Sequence, residues 1–269
     1  RAEMTSGPDE VEGAPPPEWM RGLDVLVIIT PGNDERVPAT LRTARQAAAA
    51  GVAQLIVVSV STAELADSIF GKQFEEIERG VAAVAAASSS ALHFTIVRLP
   101  LFLENYYGFA QSVRESDAIR CAVDPAARYS PIAVTDVGEA LAALATDTSG
   151  AHLGATLSLA GASHTFGEVA AWLGEARGAA VRCERIGTDE CRDALLGFGF
   201  QRWQADGVLE LYDLISAGRY DFESAALEAL LGHPPVSVQA WVAHAAPAFA
   251  AVASDRAEAD SGRDAASSI

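Results

Sequence analysis

The feature that most constrains the fold of this chain is a repeated alternation of short apolar runs with helical stretches. Three runs rich in β-branched residues, at 24–30, 55–59 and 93–98, are separated by segments with helical periodicity. Continuous apolar runs of this kind suit parallel strands that are covered on both faces. Strands separated by helical stretches of about ten to fifteen residues also imply right-handed βαβ crossovers. The sequence therefore predicts an α/β protein with a doubly wound parallel sheet.

The second half of the chain is more helical than the first. Thr165 and Glu168 fit a capping box ahead of a helix, and further helices are predicted near Glu190, from Trp203 to Ser216 and after Ser237. We expect a sheet part over about 21–150 and a small, mostly helical lobe over about 151–253. Residues 1–20 and 254–269 have few apolar side chains to bury, which predicts disordered ends.

The charge and the composition exclude several classes of function. The chain has 19 basic and 36 acidic residues, a formal charge of −17, which disfavours both nucleic-acid binding and docking on anionic membranes. No apolar run has the length of a membrane helix. The three cysteines form no CxxC pair and the histidines are scattered, so neither a disulfide framework nor a metal site is predicted. We expect an acidic cytoplasmic protein without a metal.

Several catalytic and nucleotide-binding motifs are absent from the sequence. It contains no GxGxxG or GxxGxxG turn, no Walker lysine loop, no HExxH and no GxSxG. No tyrosine is followed by a lysine four residues later, so the tyrosine–lysine pair of ordinary short-chain dehydrogenases is missing. Serine and metal hydrolysis are therefore not predicted.

Three segments, taken together, resemble the NmrA-like family of atypical short-chain dehydrogenases, and in particular its redox-sensing members. They are VLVIITPG at 25–32, FGKQFEEIE at 70–78 and FTIVRLPLFLENYYGF at 94–109, in the family's order and spacing. The resemblance covers about residues 22–245. It implies a Rossmann-type domain that prefers NADP, followed by a small C-terminal lobe.

The resemblance also implies a set of cofactor contacts on this chain. The turn at the end of the first strand would lie against the cofactor, and a lysine and a later turn would line its nicotinamide–ribose side. Lys72 is the only lysine among the 19 basic residues, and a compact ammonium differs chemically from the arginines that replace lysine elsewhere. The predicted cofactor-binding residues are Thr30, Pro31, Gly32, Lys72, Phe102, Leu103, Glu104 and Asn105.

The sequence departs from the family's pattern at its start. The family has a strand, a glycine-rich turn, a helix and two more strands before the position of residue 24. Without them the pyrophosphate half of the site is missing, because a helix N-terminus normally holds those phosphates. We therefore expect an N-terminally truncated Rossmann-type domain whose binding of NADP (NADPH) is weakened or lost.

Three functions follow from this interpretation. The leading one is an NAD(P)(H)-binding, redox-sensing regulator with little turnover, acting through a protein partner or as a homodimer. The first alternative is an NAD(P)H-dependent reductase of quinones or other flat aromatic acceptors. Lys72 would then bind the ribose or assist protonation, since Ser68 occupies the place of the missing tyrosine. The second alternative, which holds if the chain is complete, is a cofactor-free interaction module.

Overall fold

A computed structural model describes residues 15–65, 68–88, 92–222 and 224–250 of the chain. It shows an α/β protein whose contacts divide into two compact units. The first unit comprises Arg1–Leu99 and Glu139–Ser158, and the second comprises Pro100–Gly138 and Leu159–Ile269. This division differs from a single boundary near residue 150, because the segment from Pro100 belongs with the C-terminal half.

The helices and strands follow one another along the chain as the sequence predicts for most of its length. The strands are β1 (Val25–Ile28), β2 (Gln54–Val60), β3 (His93–Leu99), β4 (Ala118–Cys121), β5 (Arg128–Tyr129), β6 (Thr156–Ser158), β7 (His164–Thr165) and β8 (Arg182–Arg185). The α-helices are α1 (Arg36–Ala50), α2 (Ile69–Ala87), α3 (Ala110–Ser116), α4 (Val134–Thr146), α5 (Phe166–Arg177), α6 (Thr188–Gly197), α7 (Arg202–Ser216), α8 (Ala225–Leu231) and α9 (Val238–Ala245). Short 3-10 helices lie at Glu18–Met20, Ser61–Glu64, Leu103–Phe109 and Ala246–Phe249.

The first unit is built on a four-stranded parallel sheet with the order β1-β2-β3-β6. The pairing places Val27 beside Ile56 and Val57 beside Ile96. Strand β2 is almost wholly buried, whereas three of the four residues of β1 are only half-buried. All three strands predicted from the apolar runs are confirmed, and their parallel pairing brings their carboxyl ends to one edge of the sheet.

Helix α2 packs unusually close to the segment that follows β2. A Cβ atom at Gly71 would lie 2.2 Å from the Leu65 carbonyl oxygen and 2.5 Å from the Thr62 carbonyl oxygen. Ser68 caps the helix by accepting a hydrogen bond from the Gly71 amide, at 3.0 Å. The small size of Gly71 therefore sets how near the start of α2 lies to the carboxyl end of β2.

The second unit contains two small sheets and a set of packed helices. Strand β4 pairs with β8 in parallel, and β5 pairs with β7 in the antiparallel direction. The predicted capping box of α5 is present, with Thr165 and Glu168 bonding to each other's backbone amides. Helix α9 begins after Ser237, as predicted.

Two local features of the second unit concern a pair of exposed aromatic residues and the start of a helix. Phe198 and Phe200 are exposed rather than part of the core, because the turn between α6 and α7 directs them outwards. Helix α4 begins at Val134 and receives its cap from a distant residue, Glu104, whose carboxylate accepts the Val134 amide hydrogen bond.

Part of the segment expected to be disordered at the start of the chain is ordered. Glu18–Met20 forms a 3-10 helix, and Met20 is 1% exposed in the core of the first unit. The Met20 side chain supplies an apolar anchor in a stretch otherwise rich in proline and acidic residues. The rest of that prediction, at 1–14, and the disordered tail predicted at 254–269 lie outside the described residues. In the described part of the chain, no helix is both long and apolar enough to span a membrane.

Two glycine substitutions should have opposite effects on stability. We expect Gly71→Ala to lower the free energy of unfolding by about 1–3 kcal/mol, because the added methyl group meets backbone oxygens that cannot move away. Gly138→Ala should raise it by up to about 1 kcal/mol, since nothing lies within 4 Å of a Cβ there and alanine favours the helix. Urea unfolding of both variants measures the difference. Equal stabilisation by the two alanines would contradict the close approach of α2.

Candidate functional site

The turn after β1 is held in place by a buried arginine. Arg36 donates from Nε to the Pro31 carbonyl oxygen at 2.9 Å and from a terminal nitrogen to Gln73 Oε1 at 2.8 Å. Its guanidinium also lies over the rings of Phe70 and Phe74, at 5.4 and 4.9 Å from their centroids. Burial lowers the pKa of Arg36. The turn and the first turns of α2 are therefore fixed against each other at the carboxyl edge of the sheet.

The predicted residues of the first unit share this edge. Pro31 and Gly32 are exposed in the turn, Thr30 is half-buried, and Lys72 is exposed at the end of the first turn of α2. Lys72 directly precedes Gln73, which Arg36 links to the turn. Within the described residues Lys72 forms no ion pair. Its ammonium is thus available at the edge where open α/β sheets bind their ligands.

Two polar residues at the same edge escaped the sequence analysis. Ser61 and Thr62 follow β2 directly, and their hydroxyl groups are buried with no hydrogen-bond partner in the described part of the chain. Buried hydroxyls are usually paired, so two unpaired ones side by side are unusual. The signal that could have found them is their position, since they are the first polar pair beyond a buried strand.

The other charged residues near the ends of β2 and β3 pair with one another. Arg98 makes two hydrogen bonds to Glu78, at 2.9 and 2.7 Å, and a further ion pair to Glu64. Ser59 donates to the same Glu78 carboxylate at 2.5 Å. These contacts raise the pKa of Arg98, chiefly through the Glu78 hydrogen bond. Arg98 is therefore engaged in structure rather than presented to a ligand.

The predicted residues of the second unit have varied surroundings. The Leu103 side chain is 1% exposed, and its amide donates to the Ile132 carbonyl at 3.0 Å. The Glu104 carboxylate accepts two hydrogen bonds, one from the Val134 amide and one from the Trp241 indole nitrogen at 3.2 Å. Phe102 is half-buried and Asn105 is exposed. Leu103 and Glu104 thus have structural roles in this unit, and a cofactor role for the four residues stays a prediction.

A buried hydrogen-bonded chain of side chains lies in the core of the second unit. Tyr129 donates to the Tyr106 hydroxyl, which lies 3.2 Å from His164 Nε2, while His164 Nδ1 lies 3.1 Å from the Ala162 carbonyl oxygen. Phe166 stacks on Tyr129, with ring centroids 5.0 Å apart. Burial raises the pKa of both tyrosines and lowers the pKa of His164 to about 4. In the described part of the chain, no group of three or more histidine, cysteine or acidic residues could hold a metal ion.

Comparison with known proteins rests on structure. No protein-family model matches the sequence, and no curated protein matches it. An Escherichia coli NADPH-dependent quinone oxidoreductase, solved with NADPH, matches with a TM-score of 0.71 and 23% identity over 84% of this chain and 77% of that one. Citrobacter sp. triphenylmethane reductase, solved with NADP(H), matches with a TM-score of 0.71 and 19% identity over 85% of this chain and 78% of that one. NmrA, a negative transcriptional regulator solved with NAD, matches with a TM-score of 0.63 and 14% identity over 85% of this chain and 75% of that one.

The chain has an NmrA-like, Rossmann-type fold. The predicted α/β class with a Rossmann-type parallel sheet is therefore confirmed. At these identities the likeness establishes the fold, and the ligands and activities in the names of the matched proteins belong to those proteins.

The low pKa of His164 makes the stability of the protein depend on pH. An unfolded histidine binds a proton near pH 6.5, whereas His164 in the folded protein does so only near pH 4. The unfolded state therefore gains protons first as the pH falls. We expect the free energy of unfolding to drop by about 3 kcal/mol between pH 6.5 and 4 on account of this group. His164→Phe should flatten that part of the profile in urea unfolding, and an unchanged slope in the variant would contradict the assignment.

Proposed function

We propose that this chain binds an NAD(P)(H) dinucleotide at the carboxyl edge of the β1–β2–β3 sheet and acts as a redox-sensing regulator with little turnover. The fold supports this proposal, because two of the matched structures hold NADPH or NADP(H) and a third, a transcriptional regulator, holds NAD. Ligands of open α/β sheets bind outside the carboxyl ends of the strands, where the candidate residues of the first unit lie.

The observation that carries the proposal is the pair of buried hydroxyls at Ser61 and Thr62, which have no hydrogen-bond partner among the residues that the structure describes. A ribose hydroxyl or a nicotinamide carboxamide both donates and accepts hydrogen bonds, and a serine or threonine hydroxyl can satisfy either requirement. Leaving such groups unpaired costs stability, which a bound ligand would recover. In this proposal Pro31 and Gly32 contact the flat nicotinamide ring. The Ser61 and Thr62 hydroxyls, which are buried in the protein without ligand, become accessible on binding and meet the polar groups of the nicotinamide–ribose half.

Lys72 supplies the positive charge of the proposed site. A cation in the first turns of a helix opposes the helix dipole, so its position at the start of α2 is electrostatically unfavourable. A ligand carrying hydroxyl groups and phosphate would offset that cost. We assign Lys72 to the ribose, as a donor of charge-assisted hydrogen bonds.

The state of the tyrosines favours the sensor over the reductase. A bound NADPH supplies a hydride, and its transfer to a quinone requires a nearby proton donor. Tyr106, Tyr129 and Tyr212 are buried in the second unit, and burial raises the pKa of each. Tyr220 is 3% exposed, and the exposed Tyr107 stacks on Phe249 with ring centroids 5.9 Å apart. Each tyrosine thus has a packing role, so a reductase would have to use Lys72 as its proton donor in place of a tyrosine. This requirement is why the tyrosines favour the sensor.

The assignment of Lys72 can be tested with reduced nicotinamide mononucleotide, which lacks the adenosine half. We expect saturation-transfer NMR to detect its binding to the wild-type chain, and Lys72→Ala to weaken that binding about 10- to 100-fold. Arg79→Ala is the matched control, because Arg79 is an exposed cation on the same helix that pairs with Glu75. Equal binding by the wild type and both variants would remove Lys72 from the site. Absence of binding to the wild type would favour the cofactor-free interaction module.

Turnover separates the two dinucleotide-binding functions. We expect the wild-type protein to oxidise NADPH at the background rate in the presence of a panel of quinones. Steady-state absorbance of NADPH measures this rate, and Lys72→Ala should leave it at background. A quinone-dependent rate in the wild type that falls in Lys72→Ala, through kcat as well as affinity, would establish the reductase instead.

A further inference from the structure

The buried hydrogen-bonded chain of Tyr129, Tyr106 and His164 has no part in the proposed dinucleotide site. All three residues belong to the second unit, and each is at most 2% exposed. Direct contact between phenols and an imidazole brings a side chain that can be oxidised next to one that can accept a proton. The chemistry open to this chain therefore depends on which atom of each pair holds the hydrogen.

The hydrogen bonds of the chain all run in one direction. Burial lowers the pKa of His164 to about 4, so its imidazole is neutral near pH 7. The Ala162 carbonyl oxygen can only accept, so His164 Nδ1, 3.1 Å away, carries the imidazole hydrogen. His164 Nε2 is therefore an acceptor, and it receives the hydrogen of the Tyr106 hydroxyl at 3.2 Å. The Tyr106 oxygen in turn accepts from the Tyr129 hydroxyl.

Aromatic rings connect Tyr106 to the surface of the same unit. The Trp241 ring lies 6.0 Å from the Tyr106 ring and 5.3 Å from the Tyr107 ring, measured between centroids. Both separations are those of aromatic pairs in contact, so an electron can pass between these rings in short steps. Tyr107 is 40% exposed, whereas Trp241 is 6% exposed. A continuous path of oxidisable side chains thus leads from solvent to the buried phenol.

The phenolic proton determines how readily a tyrosine is oxidised. A phenol that has lost an electron is a very strong acid, so its oxidation is favoured where a base can take the proton. His164 Nε2 is in hydrogen-bond contact with the Tyr106 hydroxyl and can serve as that base. The low pKa of His164 does not prevent the transfer, because the oxidised phenol is far more acidic than the imidazolium. Both N–H groups of the imidazolium stay paired, one with Ala162 and one with Tyr106.

We propose that Tyr106 and His164 form a redox centre, in which one-electron oxidants at the surface, of the peroxyl-radical class, oxidise Tyr106 reversibly to a tyrosyl radical. One electron passes from Tyr106 through Trp241 and Tyr107 to the oxidant, which becomes a peroxide anion and takes a proton from water. The Tyr106 O–H bond breaks, and its proton forms a bond to His164 Nε2. A thiolate in solution then returns one electron and becomes a thiyl radical, and the proton passes back to the Tyr106 oxygen.

The surroundings of Tyr106 suit a radical that has to persist until it is reduced. The Phe166 and Phe109 rings lie 5.3 and 6.2 Å from the Tyr106 ring, and phenylalanine is much harder to oxidise than tyrosine. Because the Tyr106 side chain is almost fully enclosed, its radical is kept from coupling with molecules in solution. This centre does not depend on whether a dinucleotide binds, since it uses none of the candidate cofactor residues.

The test is photo-oxidation of the full chain at neutral pH by photogenerated tris(bipyridine)ruthenium(III), followed by rapid freezing and electron paramagnetic resonance. We expect a tyrosyl radical whose oxygen accepts hydrogen bonds from two exchangeable protons, those of Tyr129 and His164, seen by nuclear double resonance in water and deuterium oxide. Tyr106→Phe keeps the ring and should lose this signal. Tyr212→Phe is the matched control, because Tyr212 is another tyrosine buried in the same unit, and it should retain the signal.

Further variants separate the proton acceptor and the electron path from general effects on folding. His164→Phe removes the base and should lose the radical although Tyr106 is present, and Trp241→Phe should lower its yield. Tyr129→Phe also removes a buried hydroxyl, yet it should keep the radical with one exchangeable proton in place of two. Absence of a tyrosyl radical in the wild type would overturn the proposal. So would a signal that persists unchanged in Tyr106→Phe or in His164→Phe, or a yield that Trp241→Phe leaves unaltered.

Discussion

The candidate site depends on the contacts of the buried Arg36 guanidinium. It is a cation removed from water, and burial of a charge is costly unless polar and aromatic groups compensate for it. Here the Pro31 carbonyl, the Gln73 amide oxygen and two phenylalanine rings do so. Since one of these groups belongs to the turn after β1 and the others to α2, the arginine joins two segments that are far apart in sequence. Their relative position defines the edge that carries Lys72.

A second constraint acts at the same place. Gly71 lets the first turn of α2 approach the carbonyl groups of Thr62 and Leu65 more closely than any side chain would permit. The start of the helix, the turn and the buried hydroxyls after β2 are thereby gathered at one edge of the sheet. The site is thus positioned by the buried charge of Arg36 and by the small size of Gly71, both in the first unit.

The sequence predicted the regular elements well because their causes are local. Periodicity located β1, β2 and β3, and the Thr165–Glu168 capping box lies within a single turn of chain. The roles of Glu104 and Asp136 could not be predicted in this way. Glu104 binds groups at Val134 and Trp241, and Asp136 accepts from the Val236 amide at 2.9 Å, so each role depends on a partner at least 30 residues distant. The candidate residues came from a family resemblance. The role of Arg36 depends on contacts that only the three-dimensional structure shows, and the burial of the Ser61 and Thr62 hydroxyls was likewise not predicted, although their position after β2 could have singled them out.

Hydrogen exchange in the presence of millimolar NADPH tests the central claim most directly. Backbone amides exchange slowly where a ligand restricts local opening, so the exchange pattern maps a weak site without requiring activity. The account predicts slower exchange at Thr30 and Gly32, at Ser61 and Thr62, and in the first turns of α2. Unchanged exchange in all three segments, or protection confined to other parts of the chain, would contradict a dinucleotide site at this edge.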